Sequence, residues 1–467
     1  MVFSSLSFIV LFLPALLLCY FVLPKKGHAR QYVLLLFSLI FYGSGEPLYI
    51  FLILACVSAT WLLSGRVTGK SRGATVLALL VNIIPLLVTK YAGFAVRNIN
   101  AAFGLNLRFP AVVMPIGISF YTFQVITYIV DLYRGKIRQQ KNIFLFALYI
   151  MFFPQLIAGP IVQYPEVEKQ LESPDVSWDR IRYGAGRFAS GLGKKVLLAN
   201  QAGYIASTIL NSGADSLSTG MTWLCVAAYT VQIYFDFSGY SEMAIGLGAI
   251  FGFHFPENFN DPYTSLSVTD FWRRWHMTLG RFFREYVYIP LGGNRVRKAR
   301  WVFNMLVVWM LTGLWHGASW NFIIWGLYYG LLIIAERTVF ARVKLPGPLA
   351  WILTMFLVVF GWAVFLCDGF SAKEMVTFLG GLFTAHAGSA KITVSSLRLW
   401  GYLPFLAVGF AVSTPAWSWL RNRVLPEQKK ESRLYGILHD AFLVAVFLAS
   451  LLFLIGSTYN PFIYFRF

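Results

Sequence analysis

Charge is scarce in this sequence. Only 13% of its 467 residues are Asp, Glu, Lys or Arg, about half the share found in soluble domains. Acids are scarcer still, 20 against 39 basic residues, for a net charge of +19. Cysteine appears four times, as Cys19, Cys56, Cys225 and Cys367, in or beside apolar runs. That spacing suits neither a disulfide framework nor a metal site, so these are packing residues. There is no Gly-x-Ser-x-Gly elbow, no P-loop and no paired-Cys metal motif. A covalent nucleophile is therefore not indicated, and no metal is expected. Histidine is also rare, with six residues: His28, His254, His276, His316, His386 and His439.

The space left by charge is filled by apolar residues, 58% of the chain, with 18% aromatic. A soluble fold cannot hide so much apolar surface, whereas a bilayer can. Residues 1–24, 109–130, 142–165, 216–235, 345–367, 399–420 and 441–465 carry no formal charge. About 20 apolar residues span the hydrocarbon core as a helix. Such segments are too long for barrel strands, and backbone groups in lipid must be satisfied internally. The expected fold is all-α and polytopic, with roughly 11–12 membrane segments, some re-entrant or interfacial, around a central tunnel. The first 24 residues lack a basic n-region and a small-residue cleavage site, so they read as a retained helix.

The basic excess sits in short loops between apolar runs, which fits the positive-inside rule better than nucleic-acid binding. Lys25, Lys26 and Arg30 mark one cytoplasmic loop; Arg66, Lys70 and Arg72 the next. Arg134, Lys136, Arg138 and Lys141 mark another, and Lys429, Lys430 and Arg433 a late one. Gly43–Pro47 and Asn211–Gly220 lack Lys and Arg, so they and the N-terminus should face outside.

Basic loops flank both ends of 142–165, while Pro154 and Gly159-Pro160 interrupt it. A re-entrant segment entering and leaving by the cytoplasmic face reconciles these facts. Residues 271–287 have a helical period: aromatic and aliphatic groups and His276 on one half of the wheel, Arg273, Arg274, Arg281, Arg284 and Glu285 on the other. That pattern predicts one amphipathic helix along the cytoplasmic interface, with Asp270 as its N-cap. The uncharged run 301–335 would be about 50 Å long as a single helix, too long for one crossing. Its expected break is Gly313–Gly317, which would place His316 deep in the membrane.

A titratable side chain at that depth is costly and usually functional. The bland alternative for His316 is a structural histidine hydrogen-bonded between helices. For His276 it is an interfacial residue without chemistry. His28, His386 and His439 fall in or beside loops and read as surface groups. Asp236, in Tyr234-Phe235-Asp236-Phe237-Ser238-Gly239-Tyr240, reads first as a packing carboxylate bound to a nearby arginine and second as a group with direct chemistry; Glu242 has the same two readings. What chemistry remains is histidine base catalysis, in which imidazole takes a proton from a hydroxyl attacking a thioester.

At these residues the chain resembles the membrane-bound O-acyltransferase superfamily, and within it the membrane subunits of bacterial alginate O-acetyltransferases. The matching pieces are MVFSS at residues 1–5, Pro115–Tyr121 (PIGISFY), Leu156–Ile161 (LIAGPI) and Tyr234–Gly248 (YFDFSGYSEMAIGLG). They continue with Phe271–Leu279 (FWRRWHMTL), Leu291–Arg295 (LGGNR), Gly313–Gly317 (GLWHG) and Asn460–Phe467 (NPFIYFRF). FWRRWH followed some forty residues later by LWHG is highly specific. One departure is Arg284-Glu285-Tyr286, where the alginate proteins carry Arg-Asp-Tyr.

The resemblance implies a single membrane domain over 1–467, with its catalytic region at about 115–335. It implies His316 as the essential histidine and His276 as a second central one. It implies acetyl-CoA, or another cytoplasmic thioester, as acyl donor; Arg273, Arg274, Arg281, Arg284 and Arg295 are the candidates to meet its phosphates, the alternative being ordinary positive-inside residues contacting lipid. It implies a passage near His316, open to both sides and lined by Trp315, His276, Tyr234, Asp236 and Tyr240. The expected partners are membrane lipid, an extracytoplasmic SGNH-type acetyltransferase and its polysaccharide acceptor, with no nucleic acid. The setting is the bacterial inner (plasma) membrane. The alternatives are a teichoic-acid D-alanyl transfer protein, and a polysaccharide or lipid transporter without chemistry.

Overall fold

The computed structural model describes residues 1–110, 112–213, 216–384, 395–424, 432–456 and 460. Among these the chain is helical and has no strand. His386, Lys429, Lys430 and the last seven residues of NPFIYFRF lie outside the described set. Among the described residues, four helices are long and apolar enough, by length and composition, to cross a membrane: Tyr49–Thr68, Arg72–Phe103, Gly347–Leu366 and Arg433–Gly456. Three shorter apolar helices are Ser7–Val22, Ala29–Gly43 and Gly401–Ser413. Thr219–Ile250 is a continuous helix of 32 residues, and Lys298–His316 and Trp320–Thr338 have 19 residues each; the run 142–165 is instead cut into short pieces.

Two compact units emerge. The first holds Met1–Phe188, Ser241–Glu257 and Arg284–Tyr286. Its N-terminal Phe3 is fully buried, its ring 5.1 Å from Phe8, 5.6 Å from Phe41 and 6.0 Å from Phe153. The uncharged run 142–165 forms the helix Ile143–Met151, one further turn at Phe153–Leu156 and then irregular backbone. Nine residues span only about 13 Å, so this run does not cross as a helix. Residues 145–162 are buried in protein, which is where non-helical backbone is tolerated at such depth. Gly117 (φ +76°) packs on this segment; a Cβ there would come within 2.5 Å of the Leu156 carbonyl oxygen. The stretches PIGISFY and LIAGPI are therefore one packing unit.

The second unit holds Ala189–Tyr240, Asn258–Phe283 and Val287–Phe467. Its most intimate pair is Lys298–His316 with Trp320–Thr338. A Cβ on Gly326 would lie 2.2 Å from the Trp309 carbonyl oxygen, so only glycine allows this approach. The long run 301–335 thus breaks at Gly317–Ser319, starting at the last residue of the expected Gly313–Gly317. Gly313 stays helical because it faces the Phe322 carbonyl, not because it bends the chain.

The expected single helix over 271–287 is not what forms. Val268–Arg274 and Met277–Phe283 are separate α-helical pieces, followed by a π-helical turn at Arg284–Tyr288. Between them Trp275 is extended and His276 left-handed, with φ +45°. Asp270 is not the N-cap either. Ser267 is, its Oγ accepting from the Asp270 backbone N–H at 3.0 Å.

Candidate functional site

The break at His276 is held from outside its own helix. The Asn260 N–H donates to the Arg274 carbonyl at 3.0 Å, and the Met277 N–H to the Asn258 carbonyl at 2.9 Å. A strip of extended chain so satisfies the backbone groups that unwinding frees. The start of Val268–Arg274 is equally fixed. The Glu336 carboxylate accepts from the Val268 N–H at 2.6 Å, the Thr269 N–H at 2.9 Å and the Thr269 hydroxyl at 2.6 Å. A carboxylate on the first-turn N–H groups also suits the helix dipole. A left-handed β-carbon residue costs about 1–3 kcal/mol, and such strain gathers at functional sites.

His276 is 2% exposed. Its Nδ1 is 3.1 Å from Asn258 Oδ1, its ring 4.6 Å from Phe237 edge-on and 5.6 Å from Trp315. Burial pushes its pKa down to about 3, so the imidazole is neutral. His316 ends the helix Lys298–His316 and is 3% exposed. Trp315 lies 4.8 Å from it, Trp325 4.9 Å and Phe365 5.1 Å. Both glycines of GLWHG serve this placement. A Cβ on Gly313 would meet the Phe322 carbonyl oxygen at 2.1 Å, and one on Gly317 the Phe322 ring at 2.3 Å.

Trp315 thus touches both imidazoles, each at a helix break, in an aromatic surround. Imidazoles in such a place are suited to exchange protons with a hydroxyl or a thiol. Both rings are enclosed by neighbouring side chains.

The other sequence candidates divide. Tyr234 packs at 6.0 Å from the Trp275 ring and 5.0 Å from Tyr263. Asp236 is a buried carboxylate paired with Lys195 at 2.7 Å. Lys195 Nζ also donates to Asn200 Oδ1 at 2.7 Å, and Asn200 to Asn460 at 3.1 Å. Tyr240 is buried on the same helix. Phe237, an aromatic of the Tyr234–Tyr240 stretch, lies edge-on against His276.

Arg273 and Arg295 are exposed and Arg281 half-buried. Arg274 pairs with Asp270 at 3.0 Å. Arg284 is exposed and belongs to the first unit, where its neighbour Tyr286 donates to Asp131 at 2.6 Å. Sequence reasoning missed Asn258, Lys195 and Glu336. Each stands beside other polar residues, Asn258 after Glu257, Lys195 after Lys194 and Glu336 before Arg337, so no local signal singled it out. Among the described residues no group of three His, Cys, Asp or Glu is placed to hold a metal.

Residues 133–376 match the family model of the membrane-bound O-acyltransferases. The chain is 40% identical to a probable alginate O-acetylase of Azotobacter vinelandii over 79% of its own length and 75% of that protein. It is 35% identical to a probable alginate O-acetylase of Pseudomonas putida over the whole of both chains. It is 34% identical to a peptidoglycan O-acetyltransferase of Helicobacter pylori, covering 82% of this chain and 80% of the relative.

Proposed function

The chain belongs to the membrane-bound O-acyltransferase family, and we propose that it moves acetyl groups from a cytoplasmic thioester, acetyl-CoA, toward an extracytoplasmic polysaccharide. The proposed setting is the bacterial inner membrane, as a single catalytic domain centred on about 115–335. An SGNH-type partner then completes transfer to the glycan. Relatives named for alginate and for peptidoglycan favour a polysaccharide as final acceptor.

The observation that carries this reading is the pair of enclosed imidazoles on Trp315. His316 acts as general base. It takes the proton of the attacking hydroxyl as the new C–O bond forms at the thioester carbonyl. The C–S bond then breaks, and the thiolate leaving group recovers the proton from His316. Aromatic walls exclude water, which would otherwise hydrolyse the thioester. Tyr234 shapes this surround through Trp275, while Asp236 and Tyr240 support it from their helix. The passage runs between the rings around His316, which part to admit the acyl group. Arg273, Arg274, Arg281, Arg284 and Arg295 meet the phosphates of the donor.

The test is acetyl transfer from labelled acetyl-CoA by purified protein with its partner. His316→Ala should lose on the order of 10²–10⁴-fold in rate, the usual loss for a general base, with normal expression and membrane insertion. A folded His316→Ala protein with near-normal transfer would remove His316 from the chemistry. Transfer only from a D-alanyl carrier protein would move the chain to that branch of the family.

A further inference from the structure

Asn258 has the most constrained side chain near the site and no role in the chemistry above. It is fully buried. Its Oδ1 lies 3.1 Å from His276 Nδ1, 3.3 Å from the Thr278 backbone N and 2.9 Å from Thr278 Oγ1. A backbone N–H only donates. The amide atom facing Thr278 must therefore be the carbonyl oxygen, an acceptor. An acceptor opposite Nδ1 requires that Nδ1 carry the proton.

We propose that Asn258 is a positioning residue that holds His276 as the Nδ1–H tautomer, so that Nε2 presents a lone pair to a reactant. Nε2 is buried and has no hydrogen-bond partner among the described residues. The ring is neutral, since burial pushes its pKa to about 3. A neutral imidazole in this tautomer accepts at Nε2 and cannot donate there. His276 therefore does not stabilise the oxyanion on the thioester carbonyl, a task that needs an N–H. It binds a hydrogen-bond donor: the hydroxyl of the acyl acceptor, or an amide N–H of the thioester donor. The surroundings match that precision. Asn258 takes the Met277 N–H through its main chain as well, at 2.9 Å. One residue thereby fixes both the break in the helix and the ring that the break presents.

This assignment rests on the acyl-transfer reading, and its test has a readout independent of activity. The full-length protein is prepared with 15N-labelled histidine, and the His276 signals are identified by their loss in His276→Asn. The expected spectrum has a pyrrole-like Nδ1 and a pyridine-like Nε2 near neutral pH. A wild-type ring protonated on Nε2 would overturn the proposal outright. Asn258→Leu should abolish the fixed tautomer and lower kcat/KM by about tenfold to 10⁴-fold, the upper figure being the loss for a triad histidine in the wrong tautomer. Asn258→Asp, which keeps an oxygen acceptor, should restore both. Asn258→Leu with an unchanged spectrum and rate would also overturn it. If Asn258→Leu does not fold, the wild-type spectrum decides alone. The expected spectrum with no acyl transfer by the wild type would fell the functional reading and leave the orientation standing. The kinetics of His276→Asn separate the two donors. A raised KM for the thioester points to its amide, and a lowered kcat at unchanged thioester KM to the acceptor hydroxyl.

Discussion

The pair Lys195–Asp236 offers a measurement that separates packing from chemistry at Asp236, for which the sequence leaves both open. Nζ and Oδ1 are 2.7 Å apart, with side-chain exposures of 3% and 1%. Neither charge can turn to water when its partner is removed, so the survivor loses its buried counter-charge and is pushed toward its neutral form. In Asp236→Asn at pH 7, Lys195 (ordinary pKa about 10.4) sheds its proton at a cost of about 4.6 kcal/mol. In Lys195→Met, Asp236 (ordinary pKa about 3.9) takes a proton at about 4 kcal/mol. Both figures agree with the roughly 3–5 kcal/mol seen when a buried pair loses one partner. Their pH dependences have opposite sign. The penalty in Asp236→Asn shrinks as pH rises toward 10, and that in Lys195→Met shrinks as pH falls toward 4. The double variant Lys195→Met/Asp236→Leu removes both charges and should recover most of the stability. The assay is thermal unfolding in detergent at pH 5.5, 7 and 8.5, with acetyl transfer measured on each folded variant. Two singles of equal, pH-independent cost would refute the charge argument. A well-folded double variant without activity would show that Asp236 has a part in the chemistry.

Gly313→Ala places a carbon 2.1 Å from the Phe322 carbonyl oxygen. It should cost about 1–3 kcal/mol and displace Trp315 and His316, so transfer should fall further than the melting temperature indicates; Gly220→Ala, facing open space, is the control. Charge removal at Arg273 and Arg295 should raise KM for the thioester more than it lowers kcat, and unchanged donor affinity in folded variants would dismiss them as donor contacts. His276 gives stability a pH dependence of known sign. The unfolded ring takes a proton below its ordinary pKa of 6.5, whereas the folded ring refuses it down to about 3. Stability should thus decline as pH falls through that window and be indifferent to this group above it. Thermal scans of wild type and His276→Asn should diverge only below about pH 6.5, and parallel curves down to pH 4 would contradict the burial argument.

Much of the fold could be read in advance, because the strongest signals are local. The charge-free runs 1–24, 345–367 and 441–465 hold apolar helices, and Pro154 with Gly159-Pro160 marked 142–165 as unable to cross as one helix. His316 was legible for the same reason. A histidine between glycines in a 35-residue uncharged run is conspicuous whatever the tertiary structure. What could not be read was the job of each glycine. Gly313 and Gly317 look alike as breakers, yet Gly313 serves helix-to-helix approach and only Gly317 stands at the break. The difference lies in Phe322, which packs from the next helix and has no signature in the pentapeptide. Asp236 shows the same limit, since an acid among aromatics announces a partner but not which one. Lys195 sits about forty residues earlier in the chain.

His276 marks the point where local reading fails altogether. Residues 271–287 keep a helical period through the break because both pieces are amphipathic in their own right. Nothing in Arg274-Trp275-His276-Met277 warns of it, since neither Gly nor Pro is present. The left-handed histidine is imposed by Asn258 and Asn260, which take up the freed backbone groups and the imidazole together. An uninterrupted helix would satisfy its own backbone more cheaply and would leave the side chain of Asn258 buried without its ring. The fold instead accepts strain at one residue to seat one ring. That is the economy expected of a site, where local preference yields to function. It also explains why FWRRWH behaves as a motif and not merely as an amphipathic face. Its arginines could be moved along the helix without changing the period. Its histidine could not be moved by even one position without losing Asn258.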